Sequence, residues 1–345
     1  LSVLSRTTAV NYERAGKTLQ QIASDLGVDY VLEGSVRWER RQGGPERVRV
    51  TPQLVRASDD THIWGESYDA TMEEVFRVQS EIAEQVVGRL GMQLLGDERQ
   101  AMRDVPTQNV EAYHAYHRGM ALFTDYQTEE EAQTAARMFE LAIQHDPAFV
   151  QAHARASMIY STLAHSEWDR SPANIERAKN AAERALELDP DGPWGHAAMG
   201  YYHYWCLKEY ESALAAFERA KGGPDDVVKI GVAFILRRLG RFEDALADFE
   251  EIHELDPQNM DVVFNLFITN TLLGRFESAF NAIDRLITLA PDRIEFRLQK
   301  LWLTLLSGDR RGAEMLARTV ESEADATPAH ERHTFIAYYS WCLAQ

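Results

Sequence analysis

Across 345 residues, Asp and Glu outnumber Lys and Arg by 54 to 36, leaving a formal net charge of −18. A surface of that sign repels nucleic-acid phosphates and anionic bilayers, and no apolar run approaches the roughly 18 to 20 residues of a membrane span. Hydrophobic content of 45% suffices for a soluble core, and the length fits two or three domains, or one domain plus an array.

The chain opens on Leu1, and LSVLS reads as a strand already under way, with no secretory leader in view. At the other end FIAYYSWCLAQ reads as a helix without a stop, so the expectation is a piece excised from a longer protein. Thr18 caps a short helix with Leu19, Ile22, Ala23 and Leu26 on one face and Gly27 at its end. In DYVLEGSVRWER, Tyr30, Leu32, Val36 and Trp38 alternate with polar residues, which predicts a half-buried strand. RVRVTPQLVRA predicts a second strand, with an edge or bulge at Pro52, where a ladder donor is missing. THIWGESYD is a third extended piece. Thr71, with Glu74 as capping-box partner, starts a long helix striped by Val75, Val78, Ile82, Val86, Leu90 and Leu94.

Beyond residue 110 the rhythm changes. Prolines at 147, 190, 224, 257 and 291 fall 43, 34, 33 and 34 residues apart. A period of that size signals a solenoid. Ahead of each proline a helix opens on a small residue: Ala135, Ala178, Ala213, Ala245, Ala279 and, in a sixth unit, Ala313. Four positions on stand Phe139, Phe217, Phe249 and Ile283; three further on stand Ala142, Ala185, Ala220, Ile252 and Leu286. These share one helix face. About twelve residues upstream of each alanine a preceding helix offers Gly119, Ala156, Gly200, Ala233, Phe267 or Leu301 as its contact. Gly240, Gly274 and Gly308 break the turn between helices.

This phase resembles the tetratricopeptide repeat, a 34-residue helix pair that stacks into a right-handed α-solenoid. The resemblance covers 110–345, about six and a half repeats. Two units depart from it. Gly119 and Ala135 stand 16 apart, and Ala156 and Ala178 stand 22 apart. The extra stretch AHSEWDRSPAN implies a lengthened helix or a loop carrying Trp168, closed by a Ser171–Pro172 cap. Residues 1–96 resemble the TolB amino-terminal domain, an α+β fold whose first strand and helix would lie upstream, and 97–109 would be a linker. The fold class expected is therefore mainly α, an array preceded by a small, incomplete α+β domain. In bacterial signalling proteins that combination implies an upstream effector: a class III nucleotide cyclase, a Ser/Thr kinase or a winged-helix DNA-binding domain.

The chain carries no GxGxxG after a strand, GxxxxGK[ST], HExxH, CxxC or GxSxG. The pairs His114/His117, His196/His203 and His330/His333 lack the carboxylate–His set that defines a metal site, so neither metal nor cofactor is expected. Cys206 and Cys342 are too few for a disulfide framework and read as free buried thiols.

Charge and rings carry the stronger signal. The first helices sum to +5 and the second helices to −10. In tetratricopeptide arrays first helices line the concave face, so the groove should be far less acidic than the back. Inward positions of first helices hold Tyr113, Tyr116 and Phe123, then His153 and Tyr160, then Trp194, Tyr201, Tyr204 and Trp205. Phe234, Arg237, Arg238, Phe264 and Trp302 follow, with packing between helices as the alternative role for the rings. Tyr, Trp and Arg are enriched at interface hot spots. The expectation is a non-enzymatic interaction module that binds a protein or peptide in the groove, not nucleic acid. Its expected compartment is the cytoplasm, or the periplasm if a membrane anchor lies upstream; oligomeric state is left open.

Overall fold

A computed structural model describes residues 18–39, 47–71, 74–91, 106–123, 128–220 and 225–324. The strand expected at 1–5, the last stretch of helix, His330, His333, Leu94 and Cys342 lie outside them. The described residues divide into two compact units, 18–220 and 225–324.

In the first unit, helix α1 (Leu19–Leu26) begins as expected. The Thr18 hydroxyl accepts from the Gln21 N–H while the Gln21 side chain accepts from the Thr18 N–H, and Gly27 ends the helix at φ 66°. An antiparallel sheet follows: β1 (Tyr30–Glu39), β2 (Arg47–Arg56), β3 (Thr61–Gly65) and β4 (Tyr68–Thr71). Strand β2 is central, pairing with all three others. The single extended piece expected at 61–69 is two strands.

Pro52 is tolerated for a reason other than the edge position anticipated. On one side it lies opposite Gly34 of β1. On the other it falls in the gap between the residues pairing with β4 (47–50) and those pairing with β3 (53–56), so no partner there misses its donor. The register shift sits two residues on, between Leu54 and Val55.

Helix α2 (Val75–Arg89) closes one sheet face, and Val48, Ala70 and Val78 form its buried contact. Glu74 accepts from the Thr71 N–H at 2.9 Å. Strand β1 is not half-buried as the alternation implied: Tyr30, Leu32 and Val36 are 40%, 51% and 54% exposed. The helix packs over β2, β3 and β4.

Helix pairs follow: α3 (Val110–Phe123) with α4 (Glu129–His145), and α5 (Val150–His165) with α6 (Pro172–Leu188). The third pair is α7 (Pro193–Tyr201) with α8 (Tyr210–Arg219). The second unit adds α9 (Asp225–Arg238) with α10 (Phe242–Leu255), α11 (Met260–Leu272) with α12 (Phe276–Leu289), and α13 (Ile294–Leu306) with α14 (Arg310–Ala324). The insertion in the second pair is a loop, 166–171. Asn174, 2% exposed, donates to the carbonyls of Tyr160 and Asp169 and holds that loop down.

All six opening alanines are buried at 0–2% exposure, as are their partners Phe139, Phe217, Phe249 and Ile283. The small residue on the first helix is a steric requirement. A Cβ on Gly119 would stand 2.8 Å from Cε1 of Phe139, and one on Gly200 would stand 2.6 Å from Cε1 of Phe217. In the fourth pair Ala233 shares a core with Phe249; in the fifth the sizes reverse, Phe267 with Ile283. The larger side chain comes from the second helix in the first, third and fourth pairs, where a ring stands there, and from the first helix in the fifth.

The turns of the last three pairs share one geometry. Gly240, Gly274 and Gly308 have φ of 77°, 69° and 87°. The N–H of the next residue reaches back five positions, Arg241 to Leu236, Arg275 to Asn270 and Asp309 to Thr304.

Gly200→Ala should lower stability by about 1–3 kcal/mol through overpacking against Phe217. Adding Phe217→Leu should recover part of that loss. Urea midpoints for the single and double variants check this, and additive losses would contradict it.

Candidate functional site

The second helices pack on the first helix of their own pair and, within each unit, on that of the next. The structure sorts the ring-bearing positions by depth. Tyr116, Tyr160, Tyr201 and Tyr204 are 8%, 5%, 5% and 3% exposed and serve the core. Tyr116 packs against Phe139 and Phe149. The Tyr160 hydroxyl donates to the Glu140 carboxylate. Burial, then that carboxylate, push its pKa well above the ordinary phenol range. Tyr201 meets Phe217 edge-on at 5.2 Å.

Tyr113, Trp194 and Trp205 are half-buried. The Tyr113 hydroxyl donates to Gln79 of α2 at 3.2 Å, so the helix of the sheet domain touches the first repeat. The Arg155 guanidinium carbon lies 5.1 Å from the Trp194 ring centroid. The Trp205 ring stacks on His165 at 5.3 Å and 17°. Trp205 owes this position to a departure from α-helical winding: α7 continues as one π-helical turn, Tyr202–Leu207. That turn ends on Lys208 at φ 62°, where later units have glycine. Its Nζ lies 3.3 Å from Nδ1 of His165. A π turn re-aims side chains and often marks a functional site.

In the second unit Phe234 and Phe264 are half-buried, and Trp302 is packed at the rim of the core around Ile283. The Arg237 guanidinium carbon lies 5.7 Å from the centroids of both Phe234 and Phe249. Arg238 is exposed.

Arg155, His165, Lys208 and Phe149 escaped the sequence reasoning, which counted rings along the repeat phase. A charge set inside the apolar run ASMIY and its flanks was the available signal for Arg155.

Two histidines tie their helices to the preceding turn. His153 and His196 donate from Nε2 to the carbonyls of Pro147 and Pro190, six residues back in each case, at 3.0 and 3.1 Å. Among the described residues no group of three or more His, Cys, Asp and Glu side chains could hold a metal. Cys206 is a buried free thiol that donates to Ser161 Oγ. No helix among the described residues is long and apolar enough to cross a membrane.

Stacked helix pairs with a small-residue contact at a fixed step define a mainly α protein of the solenoid class. Residues 236–301 match the family described as Tetratricopeptide repeat. The matched stretch is a tetratricopeptide-repeat region within a run of helix pairs that a small antiparallel sheet precedes, and that fold is a non-catalytic protein-interaction scaffold. A Rhizobium meliloti (strain 1021) protein described as "Putative adenylate cyclase 3" is 29% identical over 216 residues, covering 62% of this chain and 36% of the relative. The chain thus spans about a third of that relative's length. A monomeric IFIT1 mutant with Gppp-AAAA superposes with a TM-score of 0.50 at 14% identity, covering 71% of this chain and 55% of that one. The type IV pilus biogenesis factor PilW gives 0.48 at 16% identity, covering 63% of this chain and 94% of PilW. Those structural likenesses are likenesses of fold.

Burial lowers the pKa of His153, His196 and His253. A depressed histidine resists charging in the folded state, so its contribution is present above the unfolded value of about 6.5 and is lost as pH falls below it. The melting temperature should therefore fall between pH 7 and pH 5, and His153→Gln, which can still donate, should flatten that slope. An unchanged slope would contradict this.

Proposed function

We propose that this chain is the interaction and sensory module of a bacterial signalling protein, and that its first helices bind a protein or peptide partner. The observation that carries the proposal is the half-buried stack of Trp205 on His165 beside Lys208, presented by the π-helical turn. Aromatic surface next to cations suits a ligand that is apolar with some negative charge. Phe234 with Arg237 and Arg238 offers the same chemistry in the second unit. The second helices, net acidic, would repel such a ligand. Of the ring and guanidinium positions named on first helices, the half-buried and exposed ones would make the contact, and the buried tyrosines would hold the wall.

The TolB-like domain, 1–96, is proposed to connect the array to an effector. The Rhizobium meliloti relative favours a nucleotide cyclase as that effector over a kinase or a winged-helix domain. The catalytic step would then belong to other parts of the parent protein, and this region would regulate it. The compartment proposed is the cytoplasm.

Dodecapeptides selected from a random display library on the wild-type chain provide the test. Trp205→Ala should weaken their binding at least tenfold at any salt concentration, a change of about 1.4 kcal/mol. Lys208→Glu should weaken it mainly at low salt, since exposed charges are screened over about 8–10 Å at physiological ionic strength. Wild-type affinity in both folded variants would contradict the proposal.

A further inference from the structure

The outer ladder of β2 is broken at its middle. Residues 47–50 pair with β4 and residues 53–56 with β3, and Glu66 and Ser67 link those two strands across the gap. A cavity of about 510 Å³, open to solvent, lies at the break. It exists because the cross-strand neighbours are small. Gln53 pairs with Gly65, which has no side chain to cover it, and Thr51 meets Ser67, their hydroxyl oxygens 3.4 Å apart. A Cβ on Gly65 would stand 3.4 Å from Cγ of Gln53, so a longer side chain would enter the cavity. A glycine in a strand often marks close approach by a ligand or another backbone.

The neighbouring bulge adds a polar group. Leu54 pairs with Trp64, so a regular ladder would next pair Val55 with Ile63. The observed partner of Val55 is His62. That slip of one residue turns His62 to the face that carries Thr51 and Gln53. Bulges commonly re-aim side chains beside active sites.

The lining selects a chemical class. The Thr51 and Ser67 hydroxyls, the Gln53 amide and the His62 ring can each donate and accept. Among the described residues neither Gln53 nor His62 uses its side chain in a hydrogen bond. None of the lining residues is Lys or Arg, and the one carboxylate, Glu66, accepts from the Tyr68 hydroxyl at 3.1 Å. An anionic ligand would meet one like charge and no counter-charge. A cationic ligand would meet a single exposed carboxylate, which contributes little. Trp64, 7% exposed, supplies the one apolar ring. The volume lies within the roughly 300–1,000 Å³ of small-molecule sites. The match is a neutral ligand rich in hydroxyls, with a C–H face for the indole.

We propose that this break in the sheet binds a neutral mono- or disaccharide. Gln53, His62 and the Thr51–Ser67 pair take its hydroxyls, Trp64 offers its ring to a C–H face, and Gly65 leaves the room. The site is built on strands and not on the first helices, so it stands independently of the peptide-binding function and gives the module a second, chemically different input.

Saturation-transfer NMR on the whole chain tests this. Glucose, galactose, maltose and N-acetylglucosamine are the neutral probes; glucuronate, inorganic phosphate and choline are the charged ones. At least one neutral sugar should show transfer, and the charged probes none. His62→Ala and Gln53→Ala should each raise the Kd for that sugar about three- to tenfold, the loss of one hydrogen bond. Gly65→Val, which fills the cavity, should abolish binding. His62 is exposed, so its variant tests the site even if Gly65→Val unfolds. Trp205→Ala should bind the sugar like wild type. Transfer to none of the neutral sugars, or equal transfer to a charged probe, overturns the ligand class. Sugar binding that His62→Ala and Gln53→Ala both leave at wild-type affinity overturns the site. Either result leaves the peptide-binding function standing.

Discussion

The contact on which the rest of the structure depends is the one between the two helices of each pair. A second-helix alanine sits fully buried, and the ring four residues on fills the space left by a small residue on the first helix. Gly119 under Phe139 and Gly200 under Phe217 allow no side chain larger than hydrogen without movement. Where the first helix carries Phe267 instead, the second offers the smaller Ile283. One residue step of error at this contact would point the apolar face of a second helix at water. The contact also orients each second helix so that, within each unit, it packs on the first helix of the next pair as well.

Rings accumulate on the first helices with two different fates. Tyr116, Tyr160, Tyr201 and Tyr204 are buried within the helical core, and the Tyr160 hydroxyl is satisfied internally by Glu140. Trp194 and Trp205 remain partly open. The π-helical turn at 202–207 inserts extra backbone before α8 and brings Trp205 onto His165. Its end on Lys208 at φ 62° costs backbone energy that a glycine would avoid. A strained terminus beside an open aromatic stack is consistent with retention for something other than stability.

Much of this was legible in the sequence because its causes are local or periodic. The Thr18 box, the Ser171–Pro172 start of α6 and the left-handed glycines at 240, 274 and 308 follow from side chains within a few residues. The helix-pair phase follows from a 34-residue step. What failed depended on distant partners. The alternation in β1 is real, yet no residue within the strand says which of its faces another element covers, and Leu32 and Val36 are exposed. Pro52 reads as an edge signal until the break between β3 and β4 is known. Helical phase puts a ring on the first-helix face but not at a depth, so it could not separate Tyr204 from Trp205. Arg155 was invisible for the same reason: the rings it meets, Phe123 and Trp194, are 32 and 39 residues away.

The central claim is that second helices hold the fold and first helices meet the partner. Backbone hydrogen exchange, followed by mass spectrometry on the whole chain with and without a saturating library-selected peptide, tests it most directly. Added protection should concentrate in α5, α7 and the 202–207 turn, with α4, α6 and α8 unchanged. Protection centred on the second helices, or confined to the sheet at 30–71, would contradict it.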